Sequence, residues 1–222
     1  MTGPVNAKEG LFGAERAKAF IDAVVAIAMT LLILPLMESV AEASAKGENA
    51  GAWVTGHTDQ LFAFVLSFAI IAMFWINHHR VFTLVERVST ALLWITMGWL
   101  LSIVWLPVVT AMVGQMPSTD RVLISMYIGS MILTTVLGLA TILYLRAHPS
   151  MHDISRDRVL RWIAVDLAMI ALFAVSLLVA VLVPVVSYFA LFLMLFTRPV
   201  QVMFARAIGA GRAKPEDAAT DD

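Results

Sequence analysis

The chain has 222 residues, 60% hydrophobic and 14% charged, with a net charge of -1, a pI near 6.5 and a mean hydropathy of +0.87. Soluble domains carry about 25% charged residues, so these values exclude a disordered chain, a coiled coil and an ordinary soluble enzyme. The near-neutral balance argues against a nucleic-acid partner, and the lack of cysteine excludes disulfides, thiolate metal sites and cysteine nucleophiles.

The opening residues 1–14 include Gly3, Pro4 and Gly10 and read as a disordered N-terminal segment. Six apolar segments follow, each near the roughly 20 residues that cross a bilayer core. They run about Ala19–Met37, Leu61–Asn77, Ala91–Val113, Val122–Leu145, Trp162–Val183 and Val185–Phe204. Ala41-Glu42-Ala43 resembles a signal-peptide cleavage site, but the apolar run before it exceeds the usual 7–15 residues and reads as a span. The last two spans are tight, because only Pro184 separates them and Arg198 lies inside the sixth. A tilted fifth helix, a turn near Pro184–Ser187 and a snorkelling Arg198 make two crossings feasible. The alternative is one long kinked helix. Residues 208–222 hold Gly, Ala, Pro and acids and read as a disordered tail, which leaves 15–207 as one six-helix transmembrane domain. The fold class is therefore an all-α integral membrane protein.

Charge placement supports six spans. One face of the membrane collects 13 Lys and Arg residues and the other only Lys46 and Arg121. Cytoplasmic loops hold the basic excess, so both termini are expected in the cytoplasm and the chain in the inner (plasma) membrane. The first outer loop is acidic, with Glu38, Glu42, Glu48 and Asp59.

The first helix carries the unusual chemistry. Asp22 lies among apolar residues, where an ionised carboxylate is costly unless paired or hydrated. A blander reading satisfies it with the helix N-terminus and Lys18. Arg16 and Asp22 are about 120° apart on a helix, so each looks to another helix. The cytoplasmic end of the second span offers Trp75, Asn77, His78 and His79. Ile27, Thr30, Leu31 and Leu34 form one stripe at helical spacing, which by periodicity alone reads as packing. Ala23, Ala26 and Ala28 allow close helix contact, as do Gly129 and Gly138 in the fourth span.

The run R-x-x-x-F-x-D-A-V-x-A-I-A-x-T-L-L-x-L, from Arg16 to Leu34, resembles the first-helix signature of the endosomal and lysosomal potassium channel family (transmembrane protein 175), in its bacterial branch. Phe74-Trp75-Ile76-Asn77-His78-His79-Arg80-Val81-Phe82 is similar to that family's F-W-x-x-H-x-x-x-F stretch. Leu92-Leu93-Trp94, Leu106-Pro107 and Thr110-Ala111 extend the likeness into the third span. Two departures stand out: Ile21 replaces the usual Ser of Phe-Ser-Asp, and Thr96 stands where Asn is common. The resemblance implies a homotetrameric channel for potassium and other monovalent cations, of modest selectivity, with first helices lining the pore. It implies Ile27 as the hydrophobic constriction, Thr30 as a hydroxyl ring, and Leu31 and Leu34 as further lining. It implies a structural network of Arg16, Phe20, Asp22, Trp75 and His78.

Other residues point elsewhere only weakly. His78 and His79 project about 100° apart and do not share an ion, and His148 and His152 lie in a loop without a ligand cluster. No metal or cofactor is expected. Asp166 reads as an interfacial acid paired with Arg158, Arg161 or Arg198. No nucleophile elbow, phosphate loop, dinucleotide fingerprint or zinc-protease motif occurs, so no enzyme is expected. The alternative function is a proton- or cation-coupled secondary transporter that uses Asp22 and Asp166. A membrane scaffold without flux is a third class.

Overall fold

A computed structural model describes residues 12–117, 119–183 and 187–209. The rest of the expected N-terminal segment and nearly all of the expected tail lie outside the described residues, as do Pro184–Val186. The elements run β1 (Phe12–Gly13), α1 (Ala14–Leu31), α2 (Leu34–Ala45), α3 (Ala50–Gly56), α4 (Thr58–Phe82), β2 (Arg87–Val88), α5 (Thr90–Gln115), α6 (Arg121–Ala147), α7 (Arg156–Leu182) and α8 (Thr197–Ala207). Among the described residues six stretches are long and apolar enough to cross a membrane: Ala14–Ala45, Thr58–Phe82, Thr90–Gln115, Arg121–Ala147, Arg156–Leu182 and Ala190–Ala207.

One boundary is corrected at the start. Phe12 and Gly13 fell in the expected disordered segment. They pair antiparallel with Val88 and Arg87 instead, and Ala14 opens α1. The described spans also outrun the apolar runs, because polar caps start them early. Ser89 accepts the Leu92 N–H at 3.2 Å, and Asp120 accepts the Val122 N–H at 2.8 Å. Each satisfies an orphan donor at a helix start.

The first span breaks at Leu32–Ile33. Proline 35 has no N–H, so the carbonyl four residues back, on Leu31, loses its helical donor. Ile33 N–H turns to Thr30 O at 3.3 Å instead, and α2 restarts with Pro35 in its first turn, where proline is tolerated.

α5 is apolar all round and half buried, as expected for a helix packed on several sides. It contacts α1, α4 and α6, while α6 packs on α7. Buried hydroxyls stitch this core. Ser67 on α4 lies 2.7 Å from the Tyr127 hydroxyl on α6 and 2.8 Å from Thr110 on α5. Among the described glycines the tightest is Gly114, where an added Cβ would sit 3.2 Å from the Gln60 backbone. Gly129 has nothing within 4 Å of such a Cβ and Gly138 only ordinary contacts, so the two expected close-packing glycines are not the tight ones.

The fifth and sixth spans are separate. Ser176 on α7 donates to Ala190 O at 2.9 Å, and both the Ser187–Phe196 segment and α8 pack on α7. The chain therefore folds back rather than continuing as one kinked helix. Ser187–Phe196 is a 3-10 run of 10 residues. At about 2.0 Å per residue it is stretched relative to an α-helix. With the 11 residues of α8 it reaches about 36 Å, enough for a core of about 30 Å.

Candidate functional site: the outward stripe of α1 and its anchor on α4

α1 has two faces. Ala17, Ile21, Val25, Ala28 and Leu32 recur at helical spacing and are buried. They hold α1 to α4 and α5. The opposite face carries Phe20, Ile27 and Leu31, with Leu34 beyond the break at the start of α2; all are exposed, Ile27 by 59%. Thr30 and Arg16 are exposed on the same side. Of the three alanines expected to permit close packing, Ala28 is fully buried, whereas Ala23 and Ala26 are exposed.

Thr30 has a defined orientation of charge. Its hydroxyl donates to Ile27 O at 2.7 Å. The single proton is thereby turned back into the helix, and the oxygen is left as an acceptor. The adjacent Leu31 carbonyl is the one that Pro35 deprives of its helical donor, at the helix end that carries partial negative charge.

Asp22 anchors α1 to α4. Trp75 Nε1 donates to Asp22 Oδ1 at 2.8 Å, and His79 Nδ1 lies 3.4 Å from the same oxygen. The Trp75 and His79 rings are 5.3 Å apart, one turn from each other. Lys18 does not satisfy Asp22; it pairs with Glu15 at 2.9 Å. Among the described residues, then, the carboxylate is held by an interhelical bond and not by its own helix.

The rest of the expected network needs correction. His78 does not reach Asp22. It is buried, stacked 3.9 Å from Trp99 and 4.5 Å from Phe82. His79, one of the four side chains offered for Asp22 but absent from the network the resemblance implied, takes that place. The signal was present, since residues 75 and 79 are four apart and share a helix face. Arg16 and Phe20 lie apart from the Asp22–Trp75 bond. They line a groove of about 440 Å³ with Thr90, Leu93, Trp94 and Met97.

Asp166 is also corrected. It is buried, 8% exposed, and its Oδ2 has no hydrogen-bond partner among the described residues. Arg161, a proposed partner, bonds Asp157 instead. Five positions separate Arg161 from Asp166, which puts them on nearly opposite helix faces. In the α6–α7 loop, His148 Nδ1 and His152 Nε2 each lie 2.9 Å from a backbone carbonyl, of Tyr144 and Leu145.

Residues 16–107 match the family model of the endosomal/lysosomal potassium channel TMEM175. The resemblance read from the first three spans is borne out.

Over 108 residues the chain is 38% identical to a potassium channel of Streptomyces collinus (strain DSM 40733 / Tue 365), covering 48% of this chain and 50% of that protein. Over 120 residues it is 33% identical to a potassium channel of Chamaesiphon minutus (strain ATCC 27169 / PCC 6605), covering 51% and 57%. The chain thus spans about half the length of these curated relatives. The crystal structure of a lysosomal potassium-selective channel TMEM175 homolog from Chamaesiphon minutus shares the fold, with a TM-score of 0.62 and 23% identity, over 87% of this chain and 97% of that one. The TMEM175 family and these relatives are potassium channels, not enzymes.

Proposed function

We propose that this chain forms a potassium-permeable cation channel of modest selectivity, a homotetramer whose α1 helices line the pore. The observation that carries the reading is the exposed stripe Ile27, Thr30, Leu31 and Leu34, which the subunit's own packing leaves uncovered. Four such stripes around one axis bring the Ile27 side chains into a hydrophobic ring, and such rings gate by dewetting. Thr30, one turn on, presents acceptor oxygen because its proton is bound to Ile27 O, and such oxygens replace part of an ion's hydration shell. Leu31 and Leu34 continue the apolar wall.

The Asp22–Trp75 bond fixes the position of α1 on α4 and so the depth at which the stripe meets the axis. Both termini are cytoplasmic in this reading, and the membrane is the bacterial inner membrane. The exposed acids Glu38, Glu42 and Glu48 then surround the outer mouth and raise the local cation concentration. A transporter carrying ions between Asp22 and Asp166 draws no support from the geometry. Asp22 is bound in the α1–α4 seam, and Asp166 faces a cavity that no α1 residue lines.

Planar-bilayer recording of the purified protein tests the proposal. Unitary currents reversing near the potassium potential are expected. Ile27→Asn wets the ring and raises conductance, and Thr30→Val lowers the preference for potassium over sodium. If both variants conduct as the unsubstituted protein does, the pore lies elsewhere.

A further inference from the structure

Between α4, α5, α6 and α7 lies a cavity of about 80 Å³, and no residue of α1 lines it. Asp166 from α7 and His78 from α4 share its wall with Asn77, Thr134, Thr135 and Thr141. Asp166 Oδ2 and both ring nitrogens of His78 are buried without a hydrogen-bond partner among the described residues. A buried carboxylate oxygen left in that state is costly unless something in the cavity meets it.

The neighbouring groups show what that something is. Thr135 donates its hydroxyl proton to Met131 O at 2.8 Å, and Thr141 donates to Leu137 O at 3.2 Å. The one proton of Thr134 has Ser130 O at 2.9 Å and Ser102 Oγ at 3.0 Å as its acceptors. All three hydroxyls therefore have only lone pairs left to offer. Asn77 uses an N–H on Met169 Sδ at 3.7 Å, and its carbonyl oxygen remains as an acceptor. The donors on the lining residues are neutral ones, namely one ring N–H of His78, the second N–H of Asn77 and the indole N–H groups of Trp99 and Trp162, and the charged donor Arg80 is exposed and belongs to the rim. Trp99, Phe74 and Trp162 complete the wall with aromatic rings.

We propose that this cavity is a monovalent-cation site inside each subunit, separate from the α1 face. Asp166 is its charged ligand, and Thr134, Thr135, Thr141 and Asn77 are its neutral oxygen ligands. A single carboxylate balances a single positive charge, whereas a divalent ion would stay half neutralised in a buried place. The volume admits an ion together with one or two waters. The site stands whether or not the protein conducts.

Two measurements test it on the purified full chain. Crystals soaked in thallium are expected to show an anomalous peak between Asp166 and the α6 threonines, apart from any density on a symmetry axis. In thermal unfolding at constant ionic strength, replacing N-methyl-D-glucamine by potassium is expected to raise the midpoint saturably by several degrees. Asp166→Asn, an isosteric change, is expected to abolish both the peak and the rise, while Ile27→Asn keeps them. Waters alone in the cavity overturn the proposal. So does a potassium-dependent midpoint that survives in Asp166→Asn.

Discussion

Trp75→Phe isolates the bond that seats α1 on α4. The substitution removes the indole N–H that donates to Asp22 Oδ1 at 2.8 Å and keeps an aromatic ring beside His79. Hydrogen bonds to charged groups contribute about 1.5–3 kcal/mol. The Asp22 side chain is 39% exposed, so water competes for it and the lower end, about 1.5 kcal/mol, applies. For a chain of this size that lowers Tm by about 3–6 °C. Phenylalanine is also smaller than tryptophan, and the lost packing adds a cost unrelated to Asp22. A double-mutant cycle with Asp22→Ala separates the two, read by thermal unfolding in nanodiscs. A coupling of about 1.5 kcal/mol is expected. Additivity within about 0.5 kcal/mol would mean that the carboxylate and the indole touch without holding the helices together, and the anchoring argument would fail.

Three further substitutions probe the subunit core. Gly114→Ala puts a methyl 3.2 Å from the Gln60 backbone; α4 must then move from α5, and a loss of about 1–3 kcal/mol is expected. Gly129→Ala, in open space, is its neutral or slightly stabilising control, and equal losses in both would refute the close approach. Tyr127→Phe removes the hydroxyl 2.7 Å from Ser67, with an expected cost of about 1 kcal/mol in the same unfolding assay, since Ser67 keeps Thr110. Ser176→Ala leaves the Ala190 carbonyl without its cross-turn donor. Faster hydrogen exchange in the Ser187–Phe196 segment is the expected result, and unchanged exchange there would show that the bond does not fix the last span.

The six spans were legible because apolar length is a strong signal, and little but a membrane accounts for so many such runs. The stripe of Ile27, Thr30, Leu31 and Leu34 was legible as a stripe, but periodicity does not say which face is buried. That came from Ile21, Val25, Ala28 and Leu32 turning inward together. The choice between His78 and His79 is a matter of phase. Relative to Trp75, His79 is rotated about 40° one way and His78 about 60° the other. Only the position of α1 decides which meets Asp22, and no single helix encodes it. Asp166 was misread for a similar reason. Arg158 lies eight residues before it, about 12 Å along the axis, and Arg161, five residues before it, is on nearly the opposite face and bonds Asp157. The 3-10 geometry of Ser187–Phe196 had no sequence signal; fitting a crossing into a short segment requires a greater rise per residue.

The departure from the Phe-Ser-Asp pattern finds its meaning in the two faces of α1. Phe20 and Asp22 flank Ile21, yet each points a different way: Phe20 is exposed, Asp22 turns to Trp75, and Ile21 is 3% exposed within the core. Isoleucine thus stands on the face that attaches α1 to its neighbours and not on the stripe with Ile27 and Thr30. Burying such a side chain contributes about 1.5–3 kcal/mol relative to leaving it exposed, whereas a serine hydroxyl in the same apolar place needs an acceptor. No partner is needed for Ile21, and Asp22 has its own in Trp75. The missing hydroxyl therefore changes how firmly the helix is held, while the surface assigned to the ion keeps the residues that the family resemblance rests on.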